Sequence, residues 1–139
     1  MCNVGMNRAV GLLTLVIAVS GVCRAMPISQ FDKMQRNNRE LYVGRLLDGT
    51  VESLKAHGHE DQAQQVLNFF ADRTEVGGIQ RLEMNLKAFR QLNRDNKDNL
   101  NNTQPVYQVE DAFSLTLKNQ GIDVPVSFLL TINKNFKPS

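Results

Sequence analysis

Apolar residues recur at helical spacing along most of the chain. Val43, Leu46, Leu47, Val51 and Leu54 fall at i, i+3, i+4, i+8 and i+11, the trace of one buried helical stripe. Ala63, Val66, Leu67, Phe70 and Ala71 trace a second, and Ile79, Leu82, Leu86, Phe89 and Leu92 a third. Polar punctuation separates them. Ser29-Gln30-Phe31-Asp32 reads as an acidic variant of a capping box, with Ser29 as the cap of a first helix. His57-Gly58 closes the Val43–Leu54 helix, Gly58 being suited to a left-handed cap. Glu60 and Asp61 then place negative charge at the start of the next helix, where the dipole favours it. Gly77-Gly78 divides the second stripe from the third.

Two places resist a simple reading. Residues 93–104 hold an Asn-rich run with the single apolar residue Leu100, which predicts an exposed loop. Beyond it, Val109, Ala112, Phe113, Thr116 and Leu117 fit a helix with Pro105 near its start and Gly121 past its end. Alternation at Phe113, Leu115 and Leu117, and again at Val124, Val126, Phe128, Leu130 and Ile132, fits a hairpin over 112–132 instead. Glu110-Asp111 in a first helical turn and Pro125 in the would-be second strand favour helices. The expected fold is all-α, a compact bundle of four to five helices; an α+β fold with that hairpin is the alternative.

Gly44 and Gly49 lie inside the first long stripe and cost a helix roughly 1 kcal/mol each relative to Ala. Asp48-Gly49-Thr50 offers a break with Thr50 as a new cap, but the unbroken stripe favours one helix. The glycines then predict a close approach by a neighbouring backbone or by a partner, which Leu at either position would block.

The N-terminus carries a different pattern. Arg8 precedes an apolar run over 9–19, and Cys23-Arg24-Ala25 sets small residues at the −3 and −1 positions of a cut after Ala25. This is the order of a secretory signal peptide over 1–25, and Met6 offers a more compact start. The run stops short of the roughly 20 residues a membrane span needs. Cys23 raises lipidation as an alternative, although Ser20 and Val22 occupy places where that processing prefers a Leu-like and a small residue. The domain is then 26–139. It lacks cysteine, since Cys2 and Cys23 are the only two, and so cannot use the disulfides common in small exported proteins.

Composition narrows the classes further. Hydrophobic residues make up 42% of the 139, too many for a disordered chain of net charge +2. Removing Arg8 and Arg24 with the leader leaves 14 basic residues against 14 acidic ones. That balance gives no basic stripe of the kind nucleic acid requires.

Candidate chemistry is sparse. His57, His59, Glu60 and Asp61 bring metal-ligand types into one loop, and they are the basis for a weak metal-binding alternative. Each also has an ordinary role between two helices. No Ser lies in a Gly-x-Ser-x-Gly elbow. Asp48 and Glu52 read as surface partners of Arg45 and Lys55 rather than a catalytic carboxylate pair. Gly77-Gly78 lacks the strand and Lys of a phosphate loop and reads as a turn. Asn99, Asn101 and Glu110 have calcium-loop spacing, but Gln104 stands where Gly is needed. Asn101-Asn102-Thr103 matches a glycosylation acceptor, relevant only in a eukaryotic host. No residue is assigned a catalytic, cofactor-binding or metal-binding role.

Tyr42-Val43-Gly44-Arg45-Leu46-Leu47-Asp48-Gly49 resembles the helical Tyr-x-x-Gly-x-x-Asp-Gly stretch of the small periplasmic immunity proteins of the Tai kind. The resemblance covers these eight residues. It implies an exported helical protein that protects bacteria from type VI secretion toxins; the family's disulfide cysteines are absent here. Together these readings predict a small exported, non-catalytic helical protein, secreted or periplasmic. Its expected partner is another protein in the envelope or outside the cell, with no nucleic acid and no membrane span after cleavage. Inhibition of an exported toxin or enzyme is the alternative function.

Overall fold

The computed structural model describes residues 25–99, 106–124, 126 and 129. The signal-peptide reading of 1–25, apart from Ala25 itself, lies outside them. So do Pro105, the acceptor at 101–103, most of the second half of the hairpin alternative, and the tail. The described chain is an all-α bundle of five helices: α1 Ile28–Lys33, α2 Arg36–Ala56, α3 Glu60–Ala71, α4 Gly78–Lys97 and α5 Val109–Lys118. The 112–132 hairpin is not formed. Its first half is α5, and Val126 and Leu129 have helical backbone. Glu110 and Asp111 occupy the first turn of α5, and Asp111 Oδ2 accepts the Gln108 N–H at 2.8 Å. A carboxylate three residues into a helix stabilises that conformation and has no use in a strand.

The helices pack in sequence order, α2 on α3 and α4 on α5, with lighter contacts between α3 and α4 and between α1 and α4. Tyr42, Leu46, Val51 and Leu54 of α2 meet Ala63, Val66 and Phe70 of α3, Leu82 and Leu86 of α4, and Val109, Ala112, Phe113 and Leu117 of α5 in one core. Phe70 stacks on Phe113 at 5.2 Å between centroids, tying α3 to α5. Such a pair adds about 0.5–1.5 kcal/mol beyond its area burial. Thr50 and Thr116 are buried among these side chains, and each hydroxyl donates to a carbonyl one turn back, Leu46 O and Ala112 O, at 2.7 Å.

Several sequence-based expectations are corrected. Ser29 is exposed inside α1 rather than capping it. Pro27 is the N-cap residue, extended at φ −58° and ψ 139°, and Ile28 behind it is buried, so apolar docking sets the start of the helix. The long stripe is continuous through Gly49, as expected, but Val43 and Leu47 are half-buried while Asn38, Tyr42 and Thr50 are buried. Ala71 is exposed. Ile79 and Leu92 are 38% and 42% exposed, because the series from Leu82 through Leu86 and Phe89 reaches Asn93 rather than Leu92.

The expected loop over 93–104 is accordingly helical as far as Lys97. Asn93 caps no helix end. Its side chain faces the incoming segment, accepting the Tyr107 N–H at 2.8 Å and donating to Tyr107 O at 3.1 Å. The Tyr107 ring stacks on Phe89 at 4.3 Å, one turn before Asn93. Together these contacts fasten the chain to α4 just before it enters α5.

Gly44 also differs from the intramolecular expectation. Among the described residues a Cβ on Gly44 meets nothing within 4 Å, so no described backbone approaches there. Close approach occurs instead at Gly77 and Gly78. A Cβ on Gly77 would overlap the Asp72 carbonyl, and one on Gly78 would lie 2.7 Å from the Phe70 ring. Gly58 takes the left-handed conformation at φ 81°, as its position after α2 predicts.

Candidate functional site

A concavity lies where α1 crosses the C-terminal half of α4. It is a cleft of about 440 Å³ lined by Ile28, Ser29 and Asp32 on one side, Arg90, Asn93, Arg94, Asn96 and Lys97 on the other, with Val106 at the rim. Ile28 anchors α1 in the core, while Val106 is 60% exposed. Arg90 reaches across, donating from Nε to Asp32 Oδ2 at 2.8 Å and from an Nη to Oδ1 at 2.7 Å. This two-pronged geometry fixes the spacing of the walls. The hydrogen bonds to Asp32 raise the Arg90 guanidinium above its ordinary pKa, so it stays charged at any working pH.

Arg90 and Asp32 cancel one another, which leaves Arg94 and Lys97 as the net charge of the cleft. Both are exposed, and among the described residues neither meets a carboxylate. Arg94 instead donates to Gln91 Oε1 at 2.6 Å. The cleft is therefore a cationic pocket with an apolar lip. Its lining offers hydrogen-bond donors and two charges without a carboxylate partner, and among the described residues no paired nucleophile and base.

The His57/His59 loop forms a separate, shallower dent of about 240 Å³ lined by Gly58, His59, Glu60, Asp61 and Gln62. His57 Nδ1 lies 2.8 Å from Ser53 O, one turn back on α2. His59 is the N-cap residue of α3, and Glu60 and Asp61 form its first turn. Among the described residues, no three His, Cys, Asp or Glu side chains converge on a common point. No described helix is long and apolar enough to cross a membrane.

A third feature is internal. Glu110 is fully buried, with Oε1 accepting the backbone N–H of Met26 at 2.9 Å and Oε2 accepting the Tyr42 hydroxyl. Beside it, Val109 N donates to Met26 O at 2.9 Å, and Pro27 and Gln108 form an antiparallel bridge. Sequence analysis places Glu110 in a first helical turn and at calcium-loop spacing with Asn99 and Asn101, but not in the core. Its burial has a legible signal: Glu110, Phe113 and Leu117 fall at i, i+3 and i+7, on the apolar face of α5. Within Tyr42–Gly49, Tyr42 and Leu46 are buried in the core, while Val43 and Leu47 are half-buried.

No protein-family model, no curated protein and no solved structure matches this chain.

Proposed function

We propose that the chain is an exported protein, cut after Ala25, that acts as a small helical binding module for another protein in the envelope or outside the cell. The observation that carries this reading is the α1/α4 cleft, where Arg94 and Lys97 stand uncompensated beside the exposed Val106. Two exposed cations next to an apolar rim suit a protein segment that presents carboxylates beside an apolar side chain. The leader-like order of residues 1–25 supplies the location. Inhibition of an exported toxin is the same reading with a specific partner. The resemblance at Tyr42–Gly49 motivates it, and a toxin gene found beside this one would support it.

Neutral replacements test the cleft without reversing charge at the C-terminal end of α4, where cations suit the dipole. Proteins captured from the native envelope by the parent chain are compared with those captured by Arg94→Gln/Lys97→Gln. The expected result is one partner that the double variant loses while still folded, its melting temperature lowered by no more than the few degrees that loss of the helix-end cations accounts for, and that salt weakens. Equal capture by both chains contradicts it.

A further inference from the structure

We infer that cleavage after Ala25 creates a structural group, the α-ammonium of Met26, and that buried Glu110 is its socket. The inference rests on the proposed processing and adds what the new terminus does. Hydrolysis of the Ala25–Met26 amide consumes one water, leaving a carboxylate on Ala25 and a protonated amine on Met26. The nitrogen that gains this charge is the one already 2.9 Å from Glu110 Oε1. A single amide donor becomes an ammonium with three, and a neutral-to-charged hydrogen bond becomes an ion pair in the protein interior.

The surroundings fit a terminus built to be held. Met26 is only 9% exposed, its carbonyl accepts the Val109 N–H, Pro27 bridges to Gln108, and Ile28 is 1% exposed. Tyr42, from the middle of α2, holds the other oxygen of Glu110. The start of the domain is thus joined to α2 and α5 through one carboxylate. A charge this deep is tolerated when an opposite charge and hydrogen bonds accompany it.

The same contacts set the order of events. A peptidase needs the residues on both sides of the cut in extended, accessible form. In the folded domain Met26, Pro27 and Ile28 are all engaged. Cleavage therefore precedes folding, and folding then captures the new amine.

The test uses the protein as the host exports and processes it. The α-amine of Met26 is exposed to an amine-acylating reagent in the folded state and in urea, and modification is followed on the N-terminal peptide by mass spectrometry. The expected result is acylation about tenfold or more slower in the folded state, as for a group released only by local opening. Glu110→Gln should return the folded rate toward the urea rate. Should that variant not accumulate, Glu110→Asp, which keeps the charge but shortens its reach, should give an intermediate rate. Equal folded and urea rates in the parent, or protection unchanged by these variants, overturns the inference. The same spectrum reads the first residue. A chain beginning at Met26 with a fully reactive amine overturns this inference alone, whereas a chain beginning elsewhere overturns the processing as well.

Discussion

At the scale of single residues, similar sequence signals separate into opposite structural roles. Gly44 sits on a helix with open space where its Cβ would be, so Gly44→Ala should stabilise by about 0.4–1 kcal/mol through reduced freedom of the unfolded chain. Gly78 faces the Phe70 ring, and that ring cannot retreat because Phe113 and Phe69 pack at 5.2 and 5.3 Å. Gly78→Ala should therefore destabilise by about 1–3 kcal/mol through overpacking. Urea unfolding of the two variants checks the pair, and the same sign of change for both contradicts it. A Gly in the sequence announces that a side chain is missing, and the neighbour that explains its absence is tertiary. Glu110→Leu should cost several times what a surface change costs, about 1–3 kcal/mol for each buried donor left unpaired among Met26 N–H and Tyr42 O–H. Tyr42→Phe, which takes one hydrogen bond from Glu110 and leaves the one from Met26, should cost less. Parallel denaturation curves for the two variants decide the order.

At the scale of elements, the helices were legible where apolar spacing was long and regular. Their ends were less so. The Asn-rich composition after Leu92 argued for a loop, yet α4 continues because Asn93 satisfies Tyr107 N–H and C=O and so holds the chain that leads into α5. Local propensity yielded to a contact 14 residues away in sequence. Asn93→Ala should loosen that junction at a cost of about 1–3 kcal/mol. Amide exchange at Tyr107 and at the first turn of α5 should rise with it, while protection unchanged at both would show that the twin hydrogen bonds carry little. The turn between α3 and α4 has its own electrostatic signature. Thr74 donates its N–H to Asp72 Oδ1 at 2.9 Å, and this bond, aided by the Thr74 hydroxyl, lowers the Asp72 carboxyl from its ordinary 3.8. A depressed folded-state pKa contributes stability above the unfolded value and loses it as pH falls through the folded one. The melting difference between the parent and Asp72→Ala should therefore be present at neutral pH and shrink in acid below 3.8. A difference that is constant down to acid pH contradicts the assignment.

At the scale of the whole molecule, the all-α class followed from periodicity, and the choice of helix over hairpin for Val109–Lys118 followed from Glu110, Asp111 and Pro125. The cleft did not follow. Asp32 and Arg90 lie 58 residues apart, and nothing local marks them as partners. Nor does a domain of balanced charge over 26–139 reveal that Arg94 and Lys97 gather unopposed beside Val106. That distribution appears only once α1 is laid across α4. The proposed binding to an envelope partner depends on export, and the proposed capture of the N-terminus by Glu110 on cleavage after Ala25. The most direct measurement is the N-terminal residue of the protein isolated from its native host, read by mass spectrometry of the intact chain. The account predicts a chain that begins at Met26 with a free amine; one that begins at Met1, at Met6 or at an acylated Cys23 contradicts it.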